Sequence, residues 1–330
     1  MELDLNIVAD IGGTNTRVGL CDGIELISRS IRRYRNAEHS GIKSILMDFL
    51  SHNPGRPLAI CIDMAGPVHN GVGTLTNLDW TVDSEAIKVN FGAQVVAVLN
   101  DLQAQGHAVP YFHSGSLSPV LLGQKAEADA TRLVINVGTG LNAALVIDAG
   151  GRTLVPAAEA GHITLQAIDD EEKHLRDWIG QRYASPGVED ILSGRGLERI
   201  YAWVCYDEGG GTLLQASEIM SKFAENEPRA LRTVGIFVQF FGRYAGDLAL
   251  IALPFGGIYL VGGVIRHLGP HLVRMGFAEA FADKGRFGPL VSQFSVHLVT
   301  DDYAALCGCA CHLSEIQVIK QSASRRGTTS

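Results

Sequence analysis

The sequence predicts an α/β protein made of two related halves. Short apolar runs with the length of buried strands alternate with segments whose apolar residues recur at helical spacing, as at residues 94–99 and 41–52. Residues 6–22 and 132–148 also share one pattern: an apolar strand, Asp or Asn, an aliphatic residue, a Gly/Thr turn, a strand of small residues and a closing Asp. Two copies of one hairpin indicate two related domains that each present a glycine turn.

The first third of the chain alternates strands with helices. The apolar residues of the first helix follow i, i+3, i+4, i+7 spacing, and Asp83 or Ser84 is a suitable cap for the second. The predicted strands are residues 5–9, 17–20, 58–64 and 94–99, and the predicted helices are residues 41–52 and 82–91.

The second half carries more helix. Residues 228–253 form one long, mostly apolar segment, which Gly256-Gly257 ends before a buried strand at 258–261. Gly262-Gly263 then opens another helix. Further helices are predicted at residues 171–180 and 302–316.

Composition and charge exclude several classes of protein. The 330 residues are 46% hydrophobic and 19% charged, which is typical of a packed globular chain long enough for two domains. A net charge of −8 without a basic stripe argues against nucleic acid as a partner. No apolar stretch of about 18 residues is free of charges, and the N-terminus lacks a basic leader segment. We therefore expect no membrane association and a cytoplasmic location.

Three of the six cysteines, Cys307, Cys309 and Cys311, stand at alternate positions. Such a run could bind a metal, but the second ligand pair of a structural zinc site is missing. The other interpretation is a tightly packed helix with small, buried, reduced thiols.

The glycine turn of the first hairpin is the first candidate site. Bare backbone N–H groups in such a turn form an anion-binding concavity, and a carboxylate at the strand end could hold Mg²⁺ directly or through water. Its residues are Asp10, Ile11, Gly12, Gly13, Thr14 and Asn15. The alternative is an ordinary hairpin turn, but the second turn at Gly138-Thr139-Gly140 favours phosphate binding. Neither turn matches a P-loop or a dinucleotide fingerprint.

Asn100-Asp101 follows a predicted buried strand and is the second candidate. A carboxylate there points into the usual ligand crevice of an α/β sheet and could accept a proton from an attacking hydroxyl. The alternative is a cap for the next helix, a position that Asn and Asp also favour.

Two further candidates lie in the second half. Glu159, His162 and Glu189 accompany Gly/Ala-rich sequence and offer the hydrogen-bonding groups that a sugar needs. The alternative interpretation is a buried histidine and two surface glutamates that bind no ligand, which the sequence does not distinguish from a sugar site. Gly262-Gly263 could admit an adenine ring against the backbone, or could serve close packing between a strand and a helix.

Together these motifs resemble the bacterial glucokinase family, within the hexokinase and actin-like ATPase superfamily. The similarity covers nearly the whole chain. Its motifs are Asp10 to Arg17, Leu75 to Trp80, Asn100-Asp101, Gly138 to Leu141, Glu159 to His162, Glu189 to Gly194, Gly256 to Gly263 and Asp283 to Phe287.

The resemblance implies two ribonuclease-H-like domains around a central cleft. The small domain would hold residues 1–110 and about 302–330, and the large domain residues 111–301. The chain would be a cytoplasmic homodimer that phosphorylates a hexose, most simply D-glucose to glucose 6-phosphate in glycolysis, with ATP and Mg²⁺.

The resemblance also implies roles for individual residues. Asp101 would be the general base, and Asn100, Glu159, His162 and Glu189 would bind the sugar hydroxyls. Residues 10–15 and the turn at Gly138-Thr139 would hold the phosphates, and Gly262-Gly263 would lie near the adenosine.

The chain departs from the family pattern at two places. Asn142 stands where the second phosphate turn usually has a further glycine, and Ala158-Glu-Ala-Gly-His162 replaces a more glycine-rich stretch. Alternative functions are a kinase for mannose, fructose or an amino sugar, a non-catalytic sugar sensor, and an actin-like ATPase. A DNA-binding repressor would need a helix-turn-helix, for which the sequence before the first strand leaves no room.

Overall fold

The structure is a computed structural model that describes residues 4–75, 78–183 and 185–327, with side chains to residue 320. The strands, in chain order, are β1 Asp4–Ile11, β2 Asn15–Asp22, β3 Glu25–Arg35, β4 Arg56–Met64, β5 Val68–His69, β6 Val72–Thr74, β7 Thr81–Asp83, β8 Val95–Asn100, β9 Leu117–Leu121, β10 Arg132–Val137, β11 Leu141–Asp148, β12 Thr153–Leu154, β13 Ile258–Val261 and β14 Val296–Val299. The helices are α1 Ile42–His52, α2 Ser84–Phe91, α3 Asp101–Ala108, α4 Asp170–Tyr183, α5 Gly194–Asp207, α6 Ala216–Ala224, α7 Pro228–Ala252, α8 Gly263–Leu268, α9 Phe277–Ala282, α10 Gly288–Val291 and α11 Ala304–Gly327.

The described residues form two compact units. Within the described ranges, unit 1 holds residues 4–112, 149–157 and 301–327, and unit 2 holds residues 113–148 and 158–300. The α/β class predicted from the alternation of strands and helices is confirmed.

Unit 1 is built on a five-stranded sheet with the order β3-β2-β1-β4-β8. β1 pairs antiparallel with β2 and parallel with β4, which pairs parallel with β8. Alternate side chains serve opposite faces, as a strand requires: Ile7 and Ile60 join the core that contains α1, whereas Val8 and Cys61 join the core that contains α11. The sheet is therefore covered on both faces.

Unit 2 repeats this pattern. Its strands lie in the order β11-β10-β13-β14-β9, with β10 antiparallel to β11 and parallel to β13, and β13 parallel to β14. The repeat predicted from residues 6–22 and 132–148 is therefore confirmed as two hairpins, each followed in its sheet by parallel strands.

α7 runs through the core of unit 2. Among the described residues it is the one helix long and apolar enough to cross a membrane, and 61% of its most apolar stretch is buried inside the structure. Phe237 and Phe241, for example, are fully buried in the main core of unit 2. Core helices of globular proteins share this composition.

The predicted helices and strands are present, with shifts at their ends. Asp83 is the cap of α2 and accepts hydrogen bonds from the backbone N–H groups of Glu85 and Ala86. The last helix continues to Gly327 instead of ending near residue 316. The elements that lacked a prediction are β3, β5, β6, β7, β9, β12, β14, α5, α6, α9 and α10. All six cysteines are free, and five of them are buried.

Candidate active site

The carboxyl edge of the parallel strands in unit 1 gathers several acidic and amide side chains. The register pairs Asp10 of β1 with Asp63 of β4, and Met64 of β4 with Asn100 of β8. Ligands in α/β sheets bind at this edge. The structure thus brings the predicted Asp10 and Asn100-Asp101 to one edge, and it adds Asp63, which the sequence analysis missed.

The first glycine turn joins β1 to β2. The Gly12 N–H donates to the Asn15 carbonyl at 3.0 Å, and Gly13 and Thr14 are exposed. Asn36 supports the turn from behind, because its Nδ2 donates to the Gly12 carbonyl at 2.8 Å and its backbone N–H donates to the Thr14 carbonyl at 3.0 Å. Both carbonyls are therefore already paired with Asn36. No spacing rule could have connected Asn36 to a turn so far away in sequence.

Burial shifts the pKa values of two acidic groups at this edge. Burial raises the pKa of Asp10, although Arg17, whose Nη1 lies 3.5 Å from Asp10 Oδ2, opposes the rise. Asp63 is fully buried, and burial together with the nearby Asp10 and Asp101 raises the pKa of its carboxyl well above the usual value. The Cys309 thiol donates to Asp63 Oδ2 at 3.3 Å. Burial therefore favours the protonated form of Asp63.

Asn100 caps α3, which is the alternative raised from its sequence position. Its Oδ1 accepts from the Leu102 N–H at 2.9 Å, and its Nδ2 donates to the Gly66 carbonyl at 3.2 Å. An amide side chain has two lone pairs and two N–H groups, so one of each remains for a ligand. Asp101 is the first residue of α3, and its Oδ1 also accepts from the Leu102 N–H at 2.9 Å.

The second glycine turn, in unit 2, joins β10 to β11 and lies against two other segments. The Gly194 N–H, at the start of α5, donates to the Gly138 carbonyl at 2.9 Å. A Cβ added to Gly138 would lie 3.8 Å from the Gly263 nitrogen. The predicted phosphate turn and the predicted adenosine segment are therefore neighbours, and Thr139 is exposed between its two glycines.

The two glycines of the predicted adenosine segment differ in the space around their Cα atoms. Gly262 has φ +108°, and a Cβ there would collide with Asn136 and with the Val137 backbone. Close packing explains Gly262 without a ligand. A Cβ on Gly263 would meet nothing within 4 Å, so open space lies beside that residue.

Glu159, His162 and Glu189 come together in unit 2. Glu159 and His162 are exposed at the ends of the Ala160–His162 turn. The Val188 N–H donates to the Ile163 carbonyl at 3.0 Å, which sets this turn beside the one that carries Glu189. Glu189 Oε2 accepts from the Leu141 N–H at 2.9 Å, so Glu189 also borders the second glycine turn.

Asn142 connects β11 to the segment that carries Glu159. Its Nδ2 donates to the Ala158 carbonyl at 2.6 Å, and its Oδ1 accepts from the Ala160 N–H at 2.9 Å. Asn142 therefore supports both sides of Glu159. In the motif from Leu75 to Trp80, Thr76 and Asn77 lie outside the described residues, while Leu75 and Trp80 are buried.

The family model and the relatives found by sequence agree on one family. A family model described as Glucokinase matches residues 7–316. The chain is 30% identical to the glucokinase of Photorhabdus laumondii over 94% of its own length and 97% of the relative's. It is 32% identical to the glucokinase of Cupriavidus pinatubonensis over 94% and 92% of the two lengths.

Solved structures show the same fold. A glucokinase from an Antarctic psychrotroph is 29% identical with a TM-score of 0.84, and the similarity covers 95% of this chain and all of that one. A Balamuthia mandrillaris glucokinase in complex with glucose has a TM-score of 0.78 at 20% identity, covering 95% and 94% of the two chains. A glucokinase of the ROK family from Streptomyces griseus, in complex with glucose and AMPPNP, has a TM-score of 0.64 at 20% identity. These neighbours confirm the predicted hexokinase and actin-like fold, and the chain belongs to the glucokinase family of hexose kinases.

Proposed function

We propose that the chain transfers the γ-phosphoryl group of ATP to the 6-hydroxyl of D-glucose, with Asp101 as the general base. The observation that carries the proposal is the placement of Asp101 just beyond the carboxyl end of β8, in the sheet whose β1 ends at the first glycine turn. Relatives named glucokinase support the sugar. The neighbour in complex with glucose and AMPPNP supports ATP as the donor.

In the proposed reaction the O6 oxygen of glucose attacks the γ-phosphorus, and the bond from that phosphorus to the bridging oxygen of ADP breaks. The O6 proton passes to the Asp101 carboxylate. The hydrogen bond from the Leu102 N–H to Asp101 Oδ1 fixes the orientation of this carboxylate at the start of α3. A base held in this way can accept the proton without reorganising.

The two glycine turns are proposed to bind the phosphates. In the first turn Asn36 occupies the carbonyls of Gly12 and Thr14, so neither of these acceptors is left unpaired beside a bound phosphate. Asp10 has the hard oxygen ligand that Mg²⁺ prefers, and its side chain is 20% exposed. Bound there directly or through water, Mg²⁺ would neutralise phosphate charge.

The sugar hydroxyls are proposed to meet Asn100, Glu159, His162 and Glu189. Glu159 and His162 make no side-chain hydrogen bond to the residues that the structure describes. Glu189 Oε2 is already occupied by the Leu141 N–H, and its Oε1 lies 3.5 Å from an Arg195 nitrogen. The second oxygen is therefore the one that a sugar would share with Arg195.

The test is Asp101→Asn assayed with glucose and MgATP. We expect kcat to fall by roughly 10²–10⁴-fold, the usual contribution of a general base. The matched control is Asp83→Asn, which changes another aspartate at a helix start in unit 1 and should leave kcat unchanged. A fall of less than about tenfold in Asp101→Asn would remove Asp101 from this role. A panel of mannose, fructose and amino sugars in the same assay tests the preference for glucose.

The assembly and location are further parts of the proposal. The family resemblance supports a homodimer, which light scattering on the purified chain would test. Six free cysteines are compatible with the reducing cytoplasm, where ATP and the reactions of glycolysis are found.

A further inference from the structure

A cluster of two histidines and a glutamate lies in unit 1, outside the residues assigned to catalysis. His107 comes from α3, and His312 and Glu315 come from α11. One ligating atom from each side chain lies within 4.8 Å of the other two. Imidazole nitrogens with one carboxylate form the donor set of many zinc and other transition-metal sites.

The crossing of α3 and α11 brings these residues together. Gly308 lies so close to the Ala104 carbonyl that a Cβ at residue 308 would overlap it. His107 and His312 are each about one helical turn beyond the crossing, and His312 and Glu315 share a face of α11 at i, i+3. The backbone packing therefore holds the three donors on two fixed helices.

The two histidines lack the partners that buried polar groups normally have. The Nδ1 atoms of His107 and His312 are buried and make no hydrogen bond to the described residues, and the two ring centroids are 4.3 Å apart. His107 is 4% exposed. More than about nine in ten buried polar groups are paired, so two unpaired nitrogens side by side call for a ligand.

The third donor is already oriented. Glu315 Oε1 accepts from the Thr153 N–H at 3.2 Å. A hydrogen bond of this kind fixes the direction of a ligating carboxylate. Burial lowers the pKa of His107 to about 3 and that of His312 to about 4. Both rings are therefore neutral at neutral pH, the form that ligates metal ions.

A cavity of about 190 Å³ borders the three side chains and is also lined by Gln103 and Arg152. This volume has room for several waters, which could complete a coordination shell. Arg152 is the one cation among the described residues that line it, and it is exposed, so its charge is screened by solvent.

We propose that His107, His312 and Glu315 bind a divalent transition-metal ion of the zinc class, with water from the cavity as a further ligand. Ligand distances of about 2.0–2.2 Å place tetrahedral donors roughly 3.4 Å apart. Side-chain rotation must therefore draw the donors closer than their present separation of up to 4.8 Å. The bound ion joins α11 to α3.

The experiment titrates Co²⁺, and separately Zn²⁺, into the metal-stripped full-length chain without nucleotide or sugar. We expect one equivalent of Co²⁺ to give the visible absorption of a tetrahedral site, Zn²⁺ to displace it, and Zn²⁺ to raise the thermal midpoint. His107→Asn and Glu315→Gln should weaken binding at least tenfold. Glu315→Gln retains an oxygen for the Thr153 N–H, so its fold should be preserved.

The matched control is His52→Asn, which removes an exposed histidine whose Nδ1 lies 3.7 Å from Asp48. It should bind metal as the parent chain does. Absence of stoichiometric binding by the parent chain would overturn the proposal, and so would equal binding by Glu315→Gln or equal losses in His52→Asn. Because the readout is metal binding, the result is independent of whether the proposed sugar kinase activity is found.

Discussion

Gly140→Ala tests whether the position of the Glu189 carboxylate matters. A Cβ at residue 140 would lie 2.6 Å from Glu189 Oε2, which is closer than real Cβ contacts allow, and a tight 3.2 Å from its Cδ. The carboxylate is the end of a flexible side chain, so it moves while the backbone stays. The movement breaks the hydrogen bond from the Leu141 N–H.

The magnitude follows from that bond. A hydrogen bond to a charged group contributes about 1.5–3 kcal/mol. The backbone of Gly140 is outside the left-handed region, so alanine recovers about 0.4–1 kcal/mol from the unfolded state. We expect a net loss of about 1–2 kcal/mol in the free energy of unfolding. If Glu189 also binds the sugar, losing a bond of this strength raises KM for glucose by about 10- to 150-fold.

Urea unfolding and steady-state kinetics measure the two effects separately. The control is Gly263→Ala, where the added methyl group meets open space and the free energy of unfolding should change little. Reduced stability with an unchanged KM would refute sugar binding by Glu189. Unchanged stability and unchanged KM would refute the packing argument itself.

Three further predictions concern residues around the site and the helix crossing. Asn142→Ala removes both hydrogen bonds to the Glu159 segment, so KM for glucose should rise about tenfold or more with a smaller change in kcat, measured by coupled assay; an unchanged KM would count against a supporting role. Gly308→Ala places a methyl group against the Ala104 backbone, so the free energy of unfolding measured in urea melts should fall by about 2–4 kcal/mol. A loss below about 1 kcal/mol would contradict the close packing of α3 against α11. Asp63→Asn tests the raised pKa of the Asp63 carboxyl. Unfolded Asp63 loses its proton above its usual pKa of 3.8, whereas burial makes the folded carboxyl hold its proton to a higher pH, so the stability of the parent chain falls as pH rises through that range. Asp63→Asn lacks this loss, so its free energy of unfolding relative to that of the parent chain, measured in urea melts without divalent ions, should be higher at pH 8 than at pH 5. A difference that is the same at both pH values would contradict the raised pKa of Asp63.

The sequence predicted those parts of the fold that local patterns determine. The hairpins, α1 and α7 follow from apolar spacing, and the likeness of residues 6–22 to 132–148 predicted the repeated sheet. Strands such as β14 and helices such as α6 lacked a prediction because short elements carry weak periodic signals.

The candidate site was likewise predicted only in part from the sequence. Motifs indicated Asp101 and Glu189, but Asn36, Asp63 and the link from Asn142 to the Glu159 segment arise from contacts between distant parts of the chain. Sequence spacing could not distinguish a helix cap from a ligand-binding residue at Asn100, because both roles favour the same residue type. The structure shows that Asn100 is the helix cap, and one lone pair and one N–H of its side chain remain for a ligand.

The return of α11 to unit 1 affects how the chain folds during synthesis. The sheet face that carries Val8, Cys61 and Leu99 packs against α11 through Leu306 and Cys309. Residues 113–148 and 158–300, all of unit 2, leave the ribosome before that helix. The unit that is begun first is therefore completed last, and an apolar face of its sheet stays open to chaperones until α11 emerges.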